Sequence, residues 1–192
     1  MAETDEELML RLQAGEEDAF EQLVGNYRDP VVRFLYRMVH EPGLAEELAQ
    51  EVFLRVYRAR HRYQPIARFS TWLFRIASNA GLNALRDGRM RRAREISMEA
   101  QPGSGGKLAV AVAAATAEQA LLAAEREEQI RRAVDALPER QRLAVLLHKY
   151  QELDYAEIAE ILECSESALK SLLFRAYETL RVKLKPLLEA RL

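Results

Sequence analysis

Between Ser97 and Thr116 the chain reads SMEAQPGSGGKLAVAVAAAT, the clearest boundary it contains. Pro102, Gly103, Ser104, Gly105 and Gly106 make a flexible break, and an alanine-rich tract of low complexity follows. Elsewhere Leu, Ala, Glu and Arg dominate, and no regular alternation of apolar and polar residues persists, which predicts helices rather than strands. The expected fold is all-α: two helical domains, 1–95 and 117–192, joined by a linker over 96–116. A chain of 192 residues fits one ordinary domain or two small ones, and 49% hydrophobic content allows a buried core.

Punctuation within the two halves divides them further. Asp5 to Ala14 reads as a short helix ended by Gly15. Asp18 to Tyr27 reads as a second, and Pro30 to Val39 as a third or as its continuation. Pro42 and Gly43 are expected to break the chain. Leu44, Leu48, Val52 and Val56 recur every four residues with Ala45, Ala49 and Phe53 beside them, giving one apolar helical face from 44 to 59. Tyr63 to Ala67 reads as a loop around Pro65. Ser70 can cap a helix from Thr71 to Arg86, with Gly88 at its exit.

In the second half, Thr116 and Gln119 have capping-box spacing and open a helix to Ala136. Pro138 suits the first turn of a helix over Glu139 to Tyr150. Asp154 and Glu157 repeat the capping-box spacing, and Ser165 can cap a last helix reaching Lys185 before Pro186.

Several function classes lose ground on residue usage. A single cysteine, Cys164, excludes an internal disulfide framework, and His40, His61 and His148 lack metal-ligand spacing. No nucleophile–base pair, metal set or phosphate-binding glycine loop occurs, so neither an enzyme nor a cofactor is expected. The start, MAETDEE, resembles no signal peptide, and the longest apolar run, Leu108 to Ala115, is too short to span a bilayer. A cytoplasmic protein without membrane insertion is expected.

The net charge of −2 hides a strong polarity. Residues 1–30 carry Glu3, Asp5, Glu6, Glu7, Glu16, Glu17, Asp18, Glu21 and Asp29 against Arg11 and Arg28. Arg86, Arg89, Arg91, Arg92 and Arg94 reverse the balance, and Lys170, Arg175, Arg181, Lys183 and Lys185 form a second basic patch. Phosphate contacts and ordinary solvated helix faces both account for these patches.

The segment YAEIAEILECSESALKSLLFRA, Tyr155 to Ala176, has helix-turn-helix spacing. Ile158, Ala159, Leu162, Cys164, Leu169 and either Leu172 or Leu173 supply the crossing, with Ala159 small enough for close approach. Ser165, Glu166, Ser167, Lys170, Ser171 and Arg175 supply the polar face. An antiparallel core pair is the competing reading, and Glu163 occupies the turn position that often requires a left-handed residue.

The segment from Arg68 to Arg92 interleaves Phe69, Trp72 and Phe74 with Arg68 and Arg75, a chemistry suited to unpaired bases and their backbone. Asn79 and Asn83 lie one turn apart. The competing reading is packing, since Trp72, Leu73, Ile76 and Ala80 have core spacing.

Three motifs in order resemble the extracytoplasmic-function (ECF) group of bacterial RNA polymerase sigma factors. AEELAQEVFLRVYRA (45–59) resembles the helix that binds core polymerase. FSTWLFRIASNAGLNALR (69–86) resembles the helix that melts and reads the −10 element. LPERQRLAVLLHKYQELDYAEIAEILECSESALKSLLFRA (137–176) resembles the domain that reads the −35 element. The resemblance runs from Asp5 to Leu184, with only the linker lacking a counterpart.

It implies that Glu47, Gln50 and Glu51, with Leu48 and Phe53 nearby, dock on core RNA polymerase. It implies that the loop from Tyr63 to Phe69 and the helix start, with Arg68 and Trp72, capture a base flipped from the −10 element. Arg75, Asn79, Asn83 and Arg86 match the polar face of that helix. Ser165, Glu166, Ser167, Lys170, Ser171 and Arg175 would enter the major groove of promoter DNA at the −35 element. The linker would thread toward the polymerase active-site channel. An anti-sigma factor is a further implied partner. Leu172, Glu163 and Asn83 depart from the family's usual arginine, glycine and aspartate, and are expected to alter promoter contacts. Two other readings follow from the residues: a stand-alone helix-turn-helix regulator with an N-terminal dimerisation or sensing domain, and a helical adaptor that binds no DNA.

Overall fold

A computed structural model of the chain describes residues 3–95, 117–151 and 153–189, with side chains over 3–88, 123–151 and 153–187. Among these residues every element is helical. The chain divides into two compact units, Met1–Lys107 and Leu108–Leu192. The expected linker over 96–116, with the cap at Thr116, lies outside the described residues.

The first unit opens with α1 (Asp5–Gln13), fixed by a capping box in which Thr4 Oγ1 accepts from the Glu7 amide and Glu7 Oε2 accepts from the Thr4 amide. Gly15, at φ +101°, makes the left-handed turn out of α1. Arg11 then ties the corner, its guanidinium meeting Glu3 at 2.8 Å, Glu16 at 2.9 Å and Asp18 at 2.6 Å.

Helix α2 (Glu17–Val39) runs through Pro30 without interruption, so the two expected helices are one. The proline forfeits one backbone hydrogen bond, and burial of Ala19, Leu23, Val31, Phe34, Leu35 and Met38 along a single stripe offsets the loss. The break after α2 falls at His40, whose φ of 58° puts it in the left-handed region. Pro42 and Gly43 do not break the chain; they form the first turn of α3 (Pro42–Ala59), where proline's missing N–H costs nothing. Glu41 caps that turn, accepting from the amides of Gly43 and Leu44.

A 3₁₀ turn (Arg60–Arg62) and an exposed loop lead to α4 (Phe69–Glu95). Two expectations fail here. Ser70 lies inside the helix rather than capping it, and the Phe69 amide at the helix start is met by Glu6 Oε1 at 2.7 Å. The helix also passes through Gly88, a residue that weakens a helix by about 1 kcal/mol without ending it. Helix α4 packs on α2 and α3, with Phe74 edge-on to Phe34 at 5.4 Å. A Cβ on Gly81 would sit 2.6 Å from Met38 Sδ, so the Met38 side chain packs directly over this glycine.

The second unit holds α5 (Ala117–Asp135), α6 (Glu139–Tyr150), α7 (Tyr155–Ile161) and α8 (Glu166–Glu189). Pro138 enters α6 as expected, and six consecutive buried residues, Arg142 to Leu147, show that α6 is covered on all sides there. Asp154 and Glu157 complete their capping box at 2.8 and 2.9 Å, and Ser165 Oγ accepts from the Ala168 amide at 3.2 Å. Helix α8 takes the weight of the unit, with α5, α6 and α7 packed along it. It continues past Pro186 to Glu189 instead of stopping at Lys185. No described helix is long and apolar enough to cross a membrane.

Candidate nucleic-acid and partner interfaces

The turn between α7 and α8 has the form the spacing predicts. Leu162 closes α7, and Glu163 follows at φ 50°, a left-handed conformation that costs a non-glycine residue on the order of 1 kcal/mol. The turn is pinned from three directions. The Glu163 amide donates to the Glu160 carbonyl at 3.1 Å, and the Cys164 amide to the Ala159 carbonyl at 3.0 Å. Arg140 Nη2, reaching across from α6, donates to the Leu162 carbonyl at 2.7 Å. Ile158, Ala159, Leu162, Leu169 and Leu173 are buried at the crossing. Leu173 is therefore the core leucine of its pair, while Leu172 and Cys164 stand half-buried.

Ser165, Glu166, Ser167, Lys170, Ser171 and Arg175 are all exposed along or just ahead of the first turns of α8. Ser171 donates its hydroxyl to the Ser167 carbonyl at 3.0 Å, which leaves its oxygen free to accept. Lys170 sits 3.8 Å from Glu166 and 5.8 Å above the Tyr155 ring. Tyr155 stacks on His148 at 5.3 Å, and His148 Nδ1 lies 2.8 Å from the Tyr177 hydroxyl. Burial, then the neighbouring Tyr155 and Tyr150, push the Tyr177 phenol above its ordinary value.

Phe174 escaped the sequence reading. It is 68% exposed, one turn beyond Lys170 and Ser171, an apolar group suited to a thymine methyl in the major groove. Its place on the polar face was visible in the i+3 and i+4 spacing.

On α4, Arg68, Trp72, Arg75, Asn79, Asn83 and Arg86 recur at three- or four-residue intervals and so share one face. Trp72 is half-buried and the other five are exposed, while Leu73, Phe74, Ala77 and Ala80 are buried on the opposite side. Two expected members are not surface groups. Phe69 is 0% and Tyr63 7% exposed, because with Tyr27 and Trp72 they form an aromatic cluster with centroid distances of 5.2 to 6.4 Å. Neither ring is a free stacking platform. Burial, then the carboxylates of Glu6 and Asp5, push the Tyr63 phenol up to about 12, and its buried hydroxyl has no hydrogen-bond partner among the described residues. The loop exposes Gln64, Pro65 and Ile66 instead, with Ile66 at 85%. An isoleucine in a short polar loop is the signal that was available for it.

On α3, Glu47, Gln50 and Glu51 are exposed as expected. Leu48 at 8% and Phe53 at 7% are buried, since both fall on the stripe with Ala45, Ala49, Val52 and Val56 that packs the core. The apolar group on the outward face is Leu54, 51% exposed and one turn beyond Gln50 and Glu51. Glu51 pairs with Arg55 along the helix, so this face is a solvated ion-pair surface with one leucine at its centre. No group of three or more His, Cys, Asp or Glu able to hold a metal ion occurs among the described residues.

Comparison with known proteins places the chain in a family. Residues 23–91 match Sigma-70 region 2, and residues 127–180 match Sigma-70 region 4. The RNA polymerase sigma-H factor of Pseudomonas aeruginosa is 33% identical over 187 residues, covering 97% of this chain and 96% of its own. The ECF RNA polymerase sigma-E factor of Escherichia coli K12 is 34% identical over 188 residues, covering 96% of each. The fold matches that of the sigma factor RpoE solved with the anti-sigma factor NepR from Bartonella quintana, at a TM-score of 0.68 and 21% identity over 88% of this chain and 98% of that one. Two helical units, a turn pinned at Glu163 and matches to regions 2 and 4 thus converge on one conclusion: the chain belongs to the extracytoplasmic-function family of RNA polymerase sigma factors.

Proposed function

We propose that this chain binds core RNA polymerase and directs it to promoters by reading two elements with two separate faces. Residues 1–95 act as the region 2-like domain and 117–192 as the region 4-like domain, with 96–116 between them. The outward face of α3, with Glu47, Gln50, Glu51 and Leu54, docks on the polymerase. Arg68, Trp72, Arg75, Asn79, Asn83 and Arg86 line the track for the opened −10 strand, and the loop around Ile66 receives a flipped base. Flipping costs a few kcal/mol of stacking and pairing, which a nearby cationic stripe helps to offset. Ser165, Glu166, Ser167, Lys170, Ser171, Phe174 and Arg175 face the major groove at the −35 element.

The observation that carries this reading is the exposed polar stripe of Arg75, Asn79, Asn83 and Arg86 on α4, opposite the buried Leu73, Phe74, Ala77 and Ala80. The chain performs no chemistry of its own and works in the cytoplasm. An anti-sigma factor holds it in check, by analogy with the relative solved in such a complex. Run-off transcription with purified core polymerase over a genomic promoter library tests the proposal. Association with core polymerase and transcripts from a defined promoter set are expected. No association, under conditions where a known sigma factor binds, overturns it.

A further inference from the structure

The acidic N-terminal helix is the feature that the proposed function leaves without a task. Helix α1 lies ahead of the residues matched by region 2, which begin at 23. Its first turn carries the carboxylates of Asp5, Glu6 and Glu7. Two of its side chains reach the segment leading into α4. Glu6 Oε1 accepts from the Phe69 amide at 2.7 Å, across 63 residues of sequence. Gln13 Nε2 donates to the His61 carbonyl at 3.1 Å, across 48. One bond falls before the exposed loop 64–66 and the other after it. Asp5 adds an indirect hold, accepting from the hydroxyl of Tyr27, whose ring meets Phe69 edge-on at 5.3 Å.

Phe69 is the first residue of α4, and its amide is one of those a helix leaves without an internal partner. A carboxylate at that end satisfies the amide and complements the positive end of the helix dipole. The nearby Ser70 does not supply this cap, so the cap comes from a different helix.

We propose that α1 is a positioning element for promoter opening. Glu6 and Gln13 hold the two ends of the loop that receives the flipped base, so the receiving geometry exists before DNA arrives. A loop already held pays no ordering cost at the moment of capture. Glu6 does not touch DNA; it acts through the start of α4. The inference rests on the proposed reading of the −10 element and adds a task for residues outside the matched region.

The test uses holoenzyme reconstituted from the full chain and core polymerase on a promoter recovered in the run-off assay, with 2-aminopurine in the non-template −10 strand. Glu6→Ala is expected to slow the fluorescence rise about fivefold, the scale of a lost helix cap. Gln13→Ala should slow it in the same direction, and Glu6→Gln, which keeps an acceptor oxygen, should recover most of the rate. Affinity for core polymerase should be unchanged in all three. Normal opening in both alanine variants overturns the inference. An equal loss of opening and polymerase affinity also overturns it, marking α1 as needed only for folding. If Glu6→Ala does not fold, Gln13→Ala carries the test, since its bond is exposed. A wild-type chain that binds polymerase but opens no promoter overturns the underlying reading instead.

Discussion

Tyr63 carries a buried hydroxyl with no hydrogen-bond partner among the described residues, near the carboxylates of Glu6 and Asp5. Burial and the charges on Glu6 and Asp5 all favour the protonated phenol, whose folded value rises to about 12 from an ordinary 10.0. Between those values the unfolded chain releases the proton and the folded chain keeps it, so stability falls as pH rises through that window. Below it the group contributes no pH dependence. Tyr63→Phe should therefore be neutral or stabilising by about 1 kcal/mol at neutral pH, since it removes an unsatisfied polar group. Its advantage over wild type should widen from pH 10 to 12. Thermal melts followed by circular dichroism across that range measure both effects, and parallel curves would refute the buried phenol.

Glu163 poses the opposite problem, a residue whose backbone is strained while its turn is well held. The positive φ expected at this position is present without glycine, and Arg140, far away in sequence, supplies one of the bonds that hold it. No local pattern encodes that reach.

At the scale of elements, packing decides the matter at Gly81. An added Cβ would meet Met38 Sδ at 2.6 Å, so the flexible end of that buried side chain must turn aside. Gly81→Ala should change the stability of the first unit by no more than about 1 kcal/mol, because repacking Met38 and alanine's better helix propensity oppose each other. Met38→Ala is itself destabilising, by about 2–5 kcal/mol for the cavity it leaves, and in that background Gly81→Ala should cost less than in the wild type. Chemical denaturation of the single and double variants measures the coupling.

Helices with strong periodicity and local caps were legible: α3 by its four-residue apolar repeat, α6 by Pro138, α7 by Asp154 and Glu157. What failed were inferences that treated a residue as self-sufficient. Gly88 and Pro186, expected at helix ends, lie inside α4 and α8, while at Pro30 the helix continues, one of the two outcomes expected there. Ser70 has the chemistry of a cap, yet α4 starts one residue earlier, at Phe69, whose amide is met by Glu6 from 63 residues away. Side-chain roles divided in the same way. Polar site residues were legible because exposure follows from their chemistry. Leu48 and Phe53 lie on the apolar stripe that their spacing predicts, whereas Tyr63 and Phe69 turn inward from the loop because an apolar residue beside a functional face can point either way. Leu54, Ile66 and Phe174 turned outward.

For the molecule as a whole, a net charge of −2 means that DNA attraction is local rather than global. Few cations reach the proposed promoter faces, so each should be visible in the salt dependence of binding. If Lys170 and Arg175 meet phosphates, alanine at each should reduce the slope of log affinity against log salt by about 1. A residue that reads a base edge would instead lower affinity mainly at its own base pair, with little change in slope. Titrations of the holoenzyme on its promoter at several salt concentrations separate the two roles.

Helix α4 puts its readers and its anchors on opposite sides of one cylinder. Arg75, Asn79, Asn83 and Arg86 contribute little to the packing that Leu73, Phe74, Ala77 and Ala80 provide. Duplicated copies of such a gene could therefore change outward residues one at a time, acquiring new promoter sets while inheriting the scaffold intact. Only Trp72, which belongs to both sides, would tie a change of target to a change of fold. The geometry of a single helix thus sets how readily one regulator can diversify into many.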